Sequence, residues 1–177
     1  MRIVSGICKG RAILPPKNFR ARPTTDFAKE NIFNVISNYF DFSEVVVLDI
    51  FSGTGSISYE FASRGAQRVV SVELDALHQK FIRQTAEQLK LKAIDSVRAN
   101  AFSYIKGCGE KFDIVFADPP YDLEGIDVLP ELIFEYEMLK PEGWFIFEHS
   151  KKKDYSHLPH FREKRVYGSV NFSIFQA

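Results

Sequence analysis

The sequence predicts an α/β fold in which a mostly parallel sheet is covered by helices on both faces. Strand-like and helix-like segments alternate from residue 45 onwards, and such alternation is typical of parallel sheets with crossover helices. The first of these strand-like segments, residues 45–51, is a continuous apolar strand of the kind that is buried on both faces. The last two strand-like segments flank Tyr167-Gly168 and predict a hairpin, so one strand should run antiparallel to its neighbours.

Each element follows from a local pattern. Residues 1–14 predict a small N-terminal β-hairpin with its turn at Lys9-Gly10, and three prolines keep the next stretch irregular. Thr24 or Thr25 can cap a helix over 26–39, which carries apolar residues along one side. The next helix ends near Gly65, since glycine can adopt the left-handed conformation that terminates a helix. Further helices are predicted over 76–91 and 126–139, and strands over 45–51, 69–73, 96–99, 112–117, 144–148, 161–166 and 170–175.

Length and composition favour one globular domain. The chain has 177 residues, of which 45% are apolar and 17 are phenylalanine, enough to bury a substantial core. No apolar run is long enough to span a bilayer, and the N-terminal residues do not resemble a signal peptide. Cys8 and Cys108 lie in dissimilar contexts without metal-ligand spacing, so we expect reduced thiols, no metal site and a cytoplasmic protein.

The formal net charge of zero conceals an uneven distribution. Residues 1–29 hold seven basic residues against one acidic residue, and residues 150–177 hold six against two. The middle of the chain is correspondingly acidic. If the two basic ends meet in the fold, they form a patch that can dock on phosphates. A merely solvated surface is the alternative, which we favour for the lysine run at 151–153.

The motif Asp118-Pro119-Pro120-Tyr121 directly follows a predicted apolar strand. The two prolines stiffen the loop and remove two N–H donors, which leaves a site rich in hydrogen-bond acceptors beside an aromatic ring. Such a site suits a planar heterocycle whose exocyclic amino group donates to Asp118 and to the Pro119 carbonyl while the ring stacks on Tyr121. The alternative is an ordinary exit from a strand into a loop, because Asp-Pro is common in turns.

A glycine-rich loop, residues 49–56, lies between the first predicted strand of the sheet and the following helix. Glycines there allow a ligand to approach the backbone, although Gly-x-Gly alone is weak evidence. A dinucleotide fingerprint would have a third Gly or Ala where this chain has Ser58, and no basic residue stands in the loop to meet a pyrophosphate. Glu73 ends the second strand of the sheet, where a carboxylate can bind both ribose hydroxyls. This combination favours S-adenosylmethionine over NAD, with a structural acid at a strand end as the alternative for Glu73.

Asn100 follows the third predicted strand, where the adenine edge of such a cofactor should lie. Its amide can donate to or accept from the adenine. Alternatively, it can simply cap the following turn. The sequence leaves both roles open.

With both loops placed, the chain resembles the class I S-adenosylmethionine-dependent methyltransferases, and more narrowly the bacterial 16S ribosomal RNA guanine-N2 methyltransferases of the RsmD type. The similarity runs nearly end to end. Gly-Thr-Gly and Asp-Pro-Pro-Tyr are shared with many amino methyltransferases, whereas Arg-Pro-Thr and Lys-Glu-x-x-Phe-Asn are specific to the family. The matching segments are Met1-Arg2-Ile3-Val4-Ser5-Gly6, Lys9-Gly10-Arg11, Arg22-Pro23-Thr24, Lys29-Glu30 with Phe33-Asn34, Asp49-x-Phe51-Ser52-Gly53-Thr54-Gly55, Ser63-Arg64-Gly65-Ala66, Asp118-Pro119-Pro120-Tyr121 and Tyr167-Gly168.

The resemblance implies a Rossmann-like fold with seven strands in the order 3-2-1-4-5-7-6, in which strand 7 is antiparallel. Residues 1–25 would form the N-terminal hairpin and a basic extension that docks on RNA, and residues 26–177 the methyltransferase domain. The reaction implied is methyl transfer from S-adenosylmethionine to the exocyclic N2 amino group of a guanine in 16S ribosomal RNA. The substrate would be the RNA, alone or within an assembling small ribosomal subunit, and nothing in the sequence points beyond a monomer.

Three sets of site residues are carried over from the resemblance. Cofactor contacts are expected from Asp49, Phe51, Ser52, Gly53, Thr54, Gly55, Glu73, Leu74, Asn100 and Ala101. Contacts with the target base are expected from Asp118, Pro119, Pro120 and Tyr121. RNA contacts are expected from Arg2, Lys9, Arg11, Arg20, Arg22 and Thr24. The family commonly has Asp where this chain has Asn100, so we expect weaker or altered cofactor affinity.

Other functions remain open on the sequence alone. A methyltransferase for adenine N6 in DNA or RNA would use the same Asp-Pro-Pro-Tyr loop. A protein-glutamine methyltransferase would more often carry Asn at position 118 and an extra helical domain. A small oxidoreductase is disfavoured by Ser58 and by the lack of a substrate domain. A non-catalytic RNA-binding factor with the same fold is disfavoured by the retained Glu73 and Asp118.

Overall fold

Strands and helices alternate along the computed structural model, which describes residues 1–177. The strands are β1 (Val46–Ile50), β2 (Arg68–Glu73), β3 (Ile94–Arg98), β4 (Phe112–Ala117), β5 (Leu139–His149), β6 (Phe161–Tyr167) and β7 (Val170–Gln176). The α-helices are α1 (Asp26–Ser37), α2 (Ser56–Ser63), α3 (Ala76–Gln88), α4 (Ala101–Gly107) and α5 (Leu129–Glu135), with short 3-10 turns at Phe42–Glu44 and Ile126–Val128. None of these helices is long and apolar enough to cross a membrane.

All seven strands belong to one sheet, in the order β3-β2-β1-β4-β5-β7-β6. The pairs from β3 to β5 are parallel, whereas β7 is antiparallel to both β5 and β6. This arrangement confirms the predicted α/β fold, its strand order and its single antiparallel strand.

Two hydrophobic clusters cover the two faces of the sheet. Successive residues of a strand point to opposite faces, so Val47 belongs to one cluster and Leu48 to the other. The first cluster packs against α1, α2 and α3, and the second against α4 and α5. Burial on both faces explains why the central strands β1 and β4 have largely apolar sequences.

The carboxyl ends of the parallel strands meet at one edge of the sheet. Ile50 at the end of β1 pairs with both Val72 of β2 and Ala117 of β4. The glycine-rich loop after β1, Glu73 at the end of β2 and Asp118 after β4 therefore emerge at the same edge. In open α/β sheets this is the edge at which ligands bind.

The predicted N-terminal hairpin is reduced to one antiparallel bridge, between Arg2 and Ala12. The backbone between them bonds to itself, where Ile3 pairs with Gly10 and Arg11, and also to α2. Glu60 accepts hydrogen bonds from the N–H groups of Val4 and Ser5 at 2.9 and 3.0 Å. Further along, Ile7 is 81% exposed in a turn and is not part of a strand. The boundary predicted at residue 25 stays a prediction, and residues 1–13 contribute apolar side chains to the same core cluster as α1.

Other elements differ from the sequence-based expectations at their ends. Residues 101–107 form α4, where the sequence analysis placed only a turn. The helix predicted over 126–139 is a 3-10 turn followed by the short α5, with Pro130 in its first turn. Conversely, β5 begins five residues before the predicted strand and continues through Pro141 and Gly143, with an irregularity in its pairing to β4.

Candidate active site

The loop after β4 lies in a cluster of four polar side chains, which we call the carboxylate cluster: Thr24, Asp118, Tyr121 and Glu148. The Thr24 hydroxyl lies 3.2 Å from Asp118 Oδ2 and 3.1 Å from Glu148 Oε2. The Tyr121 hydroxyl donates to the other oxygen of Glu148, at 3.0 Å. The cluster thus joins the end of β4, the end of β5 and the segment that leads into α1.

The electrostatics of this cluster favour the uptake of protons. Burial, with the nearby charge of Glu148 as the second cause, raises the pKa of Asp118 well above its ordinary value. Burial also raises the pKa of Glu148. No lysine or arginine nitrogen lies within 4 Å of either carboxylate, so no cation offsets the cost of burying two negative charges. Both acids therefore bind protons more readily than an ordinary carboxylate does.

The remaining acceptors of the loop are available to a ligand. No group of the protein donates a hydrogen bond to Asp118 Oδ1 or to the Pro119 carbonyl. Tyr121 is 45% exposed, with its hydroxyl held by Glu148, so its ring offers a fixed aromatic surface. Burial and the charge of Glu148 raise the pKa of Tyr121, so the phenol remains protonated and serves as a donor. This arrangement can accept two N–H groups of one amino nitrogen beside a stacking surface.

The glycine-rich loop after β1 folds back over the start of α2. Phe51, Gly53 and Gly55 all have positive φ angles, of 75°, 55° and 84°. Glycine is required at position 55, because a Cβ atom there would lie 2.6 Å from the ring of Tyr59. The loop is thereby tightly turned at the start of a helix, and the N–H groups of Ser52, Gly53 and Gly55 bond within the protein.

Asp49 lies beneath this loop and is buried. Its Oδ2 accepts a hydrogen bond of 2.6 Å from Ser58, which also bonds Ser71 at 2.9 Å. Burial raises the pKa of Asp49 to about 7. Ser58, whose identity counted against a dinucleotide site, is therefore the side chain that satisfies Asp49. Ser52 supports the same turn by donating from its hydroxyl to the Asp49 carbonyl at 2.7 Å.

Glu73 connects the ends of β1 and β2. One of its carboxylate oxygens accepts from the Gly53 N–H at 2.8 Å, and the other from the Asp75 N–H at 2.9 Å. Beside it lies an open cavity of about 500 Å³, lined in part by Leu74, Leu77 and Arg98. A carboxylate next to exposed apolar side chains is suited to a nucleoside, whose sugar is polar and whose base is flat and apolar on its faces. These residues fit the adenosine part of S-adenosylmethionine.

Asn100 is the N-cap of α4, and Ala101 is the first residue of that helix. The Asn100 side-chain oxygen accepts from the Ser103 N–H at 3.1 Å, which is the capping role left open by the sequence. Its side-chain NH2 group makes no hydrogen bond within the protein and can still donate to a ligand.

Five of the six residues predicted to contact RNA are exposed: Arg2, Lys9, Arg11, Arg20 and Arg22. Thr24 is not, because it is buried in the carboxylate cluster, and its assignment to the RNA-contacting surface is corrected here. Lys29 was counted among the basic residues of the N-terminal end, but it does not lie on the surface. It is buried, donates to the Arg2 carbonyl at 2.6 Å and lies 3.6 Å from Glu60.

Glu148 was not singled out by the sequence analysis. The sequence placed it at the end of an apolar strand. It could have been identified from its position, because it lies near the carboxyl end of a strand that is parallel to β4. Thr24 was named, but for the wrong contact, because a threonine after Arg-Pro gives no indication of a partner 94 residues further along the chain.

Several known proteins that are similar to this chain are named as methyltransferases. The model of a family described as "Conserved hypothetical protein 95" matches residues 1–176. The putative rRNA methyltransferase YlbH of Bacillus subtilis is 32% identical, over 99% of this chain and 98% of that protein. Ribosomal RNA small subunit methyltransferase D of Haemophilus influenzae is 31% identical, over 86% of this chain and 80% of that protein. The solved structure of the putative methyltransferase yhhF from Escherichia coli has a TM-score of 0.86 at 26% identity, covering 99% of this chain and 97% of that one.

Proposed function

The chain belongs to the family described as "Conserved hypothetical protein 95", and from this premise we propose that it methylates the N2 amino group of a guanine in small-subunit ribosomal RNA. It is an S-adenosylmethionine-dependent methyltransferase, and its relatives named for ribosomal RNA make that RNA the substrate class. The choice of guanine and of its N2 nitrogen is the finer part of this proposal. It rests on the loop after β4, residues Asp118 to Tyr121.

The observation that carries the proposal is the pair of free acceptors after β4. Asp118 Oδ1 and the Pro119 carbonyl have no donor within the protein, and they can accept both N–H groups of an exocyclic amine. The lone pair of such an amine is delocalised into its ring. Hydrogen bonds to both N–H groups favour a pyramidal nitrogen and direct its lone pair away from the loop. Orientation of this kind supplies much of the acceleration in a reaction whose electrophile is already activated.

S-adenosylmethionine, when bound, supplies a methyl group on a positively charged sulfur. The glycine-rich loop, Glu73, Leu74 and Asn100 would hold it. The backbone of the loop would lie close to the cofactor, and Glu73 would bind its ribose. Glu73 already accepts from the Gly53 N–H, so the same carboxylate fixes the loop and remains able to accept from a hydroxyl.

The RNA would be held by the exposed basic residues of the N-terminal extension. Arg20 and Arg22 are exposed and precede Thr24, which touches Asp118 and Glu148, so their part of the chain leads directly into the carboxylate cluster. Phosphate contacts of this kind give affinity and register without reading the sequence of the RNA. The target base must leave its stack to reach the loop, and Tyr121 would stack on it there.

The test is transfer of labelled methyl from S-adenosylmethionine to ribosomal RNA and to small subunits from cells that lack this gene. Nucleoside digestion follows, for the wild type, Asp118→Ala and the control Glu135→Ala, whose side chain is exposed on α5. We expect N2-methylguanosine in small-subunit RNA with the wild type and the control, and its loss with Asp118→Ala. Methyl in another nucleoside would overturn the guanine assignment, and no transfer to any RNA would overturn the RNA substrate.

A further inference from the structure

Thr24 contacts two carboxylates with one hydroxyl hydrogen. Its Oγ1 lies 3.2 Å from Asp118 Oδ2 and 3.1 Å from Glu148 Oε2. A hydroxyl can donate only one hydrogen bond and accepts any others. Both contacts are satisfied if one of the two acids is protonated and donates to Thr24, while Thr24 donates to the other. The geometry alone therefore favours a single proton on this pair of acids.

The position of that proton follows from the partners of each acid. Glu148 accepts from the Tyr121 hydroxyl at 3.0 Å, which stabilises its charged form. Asp118 has no such second donor, and its pKa is raised by burial first, then by the charge of Glu148 and by that of Asp49, while its hydrogen bond with Glu148 acts in the same direction. The resting arrangement is therefore a neutral Asp118 that donates to Thr24, a Thr24 that donates to Glu148, and an ionised Glu148.

The reaction produces a proton that must leave a buried site. The target nitrogen gains a methyl group through its lone pair, carries a formal positive charge and must then lose one of its hydrogens. A neutral Asp118 cannot take up that hydrogen unless it gives up its own. Its Oδ1 is free to face the amine, while Oδ2 faces Thr24.

We propose that Thr24 and Glu148 are positioning residues that form a proton relay with Asp118, in which Glu148 is the final acceptor; this rests on the proposed methyl transfer to an amine. Asp118 Oδ1 takes a proton from the methylated nitrogen, and the proton on Asp118 Oδ2 passes to Thr24 Oγ1. The hydroxyl proton of Thr24 passes to Glu148 Oε2. The net change is a neutral secondary amine, an unchanged Asp118 and Thr24, and a protonated Glu148 that returns its proton to water after product release.

Variants at Thr24 test the relay without altering either acid. We expect Thr24→Val, which keeps the volume and loses the hydroxyl, to lower kcat by about 100-fold, within the range typical of proton transfer by a positioned group. Thr24→Ser keeps the hydroxyl and should restore most of the activity. Binding of S-adenosylmethionine, followed by calorimetry, should be the same in all three proteins.

The pH profile tests the role of Glu148. In the wild type the active form has one proton on the pair, so kcat should fall as pH decreases and Glu148 takes up a proton. In Glu148→Gln the final proton acceptor is gone, so kcat should decrease and the acid limb that Glu148 causes should disappear. A residue with only a packing role would lower kcat or stability and leave this limb in place.

A direct measurement does not depend on activity. Carbon NMR of labelled Asp and Glu carboxyl groups in the wild type should show the pair titrating in two separate steps, with the Asp118 step moving to lower pH in Glu148→Gln. Normal kcat in Thr24→Val, equal impairment in Thr24→Ser, or an ordinary Asp118 titration in the wild type would each overturn the relay. Absence of methyl transfer by the wild type would overturn the proposed function, and the relay with it.

Discussion

Gly55 shows how a single missing side chain shapes the cofactor loop. Its φ angle of 84° is accessible to glycine at no cost, and a Cβ atom would meet the Tyr59 ring at 2.6 Å. Tyr59 is itself buried, and its hydroxyl has no hydrogen-bond partner, so the ring is held there by packing. The loop can reach its position over α2 only because residue 55 leaves room for this ring.

Gly55→Ala should therefore destabilise the protein by more than the cost of its backbone conformation. Gly10→Ala is the matched control, because Gly10 has a φ angle of 81° and nothing within 4 Å of its Cβ position. We expect Gly10→Ala to lose about 1 kcal/mol of unfolding free energy and Gly55→Ala at least about 2 kcal/mol. Urea denaturation measures both. Equal losses would mean that Tyr59 moves aside without cost.

Helix α2 organises the N-terminal segment as well as the cofactor loop. Glu60, on α2, accepts from the N–H groups of Val4 and Ser5 and pairs with Arg64 at 2.9 Å, while the buried Lys29 lies 3.6 Å away. Burial lowers the pKa of Lys29, and the Glu60 charge opposes that shift. Glu60 thus holds together three parts of the chain that are distant in sequence.

Glu60→Gln should weaken this whole arrangement. The amide keeps the volume of the side chain but leaves the buried Lys29 without its counter-charge, a loss that typically costs about 3 kcal/mol. Amide hydrogen exchange at Val4 and Ser5 should become faster, since their acceptor is weakened. Glu135→Gln, at an exposed position of α5, should change neither quantity. Unchanged exchange at Val4 and Ser5 in Glu60→Gln would contradict the anchoring role.

Elements were predictable where their pattern is local. The largely apolar sequences of β1 and β4 predicted those strands to within two residues, because burial on both faces favours apolar side chains and leaves Asp49 and Asp113 as their only polar residues. The path of residues 4–8 was not predictable, because their backbone bonds to Glu60 and Ser63 and not to a neighbouring strand. In the site, the ends of β2 and β4 were identified from their own sequences. The contact of Thr24 with Glu148 spans 124 residues and depends on the assembled fold.

At the scale of the whole molecule, the two basic ends of the chain lie on neighbouring elements. The C-terminal hairpin of β6 and β7 contacts α1, where the rings of Phe27 and Tyr167 meet edge to face at 6.3 Å. The acidic middle of the chain supplies the carboxylates at the ends of β2, β4 and β5. We expect the basic residues of these two ends to attract the phosphates of RNA and to leave the acceptors of the site free for the base.

Binding of ribosomal RNA should accordingly weaken as salt increases. Each phosphate contact that is lost should reduce the slope of log Kd against log salt concentration by about 0.7. We expect this reduction in Arg22→Ala, with a similar loss of affinity for unrelated RNA sequences. Lys152→Ala serves as the control, because it belongs to the lysine run that we expect to be merely solvated. An unchanged slope in Arg22→Ala would remove Arg22 from the RNA-binding surface.

The position of Thr24 has a consequence for protein engineering. The segment that would recognise the RNA and the loop that would hold its base share one residue, so they are not separable parts. A chimera with residues 1–25 from a relative that has another target would replace the RNA-recognising surface and the residue at position 24 at the same time. Retargeting by exchange of this segment should succeed only where the exchanged chain returns a hydroxyl to the gap between Asp118 and Glu148.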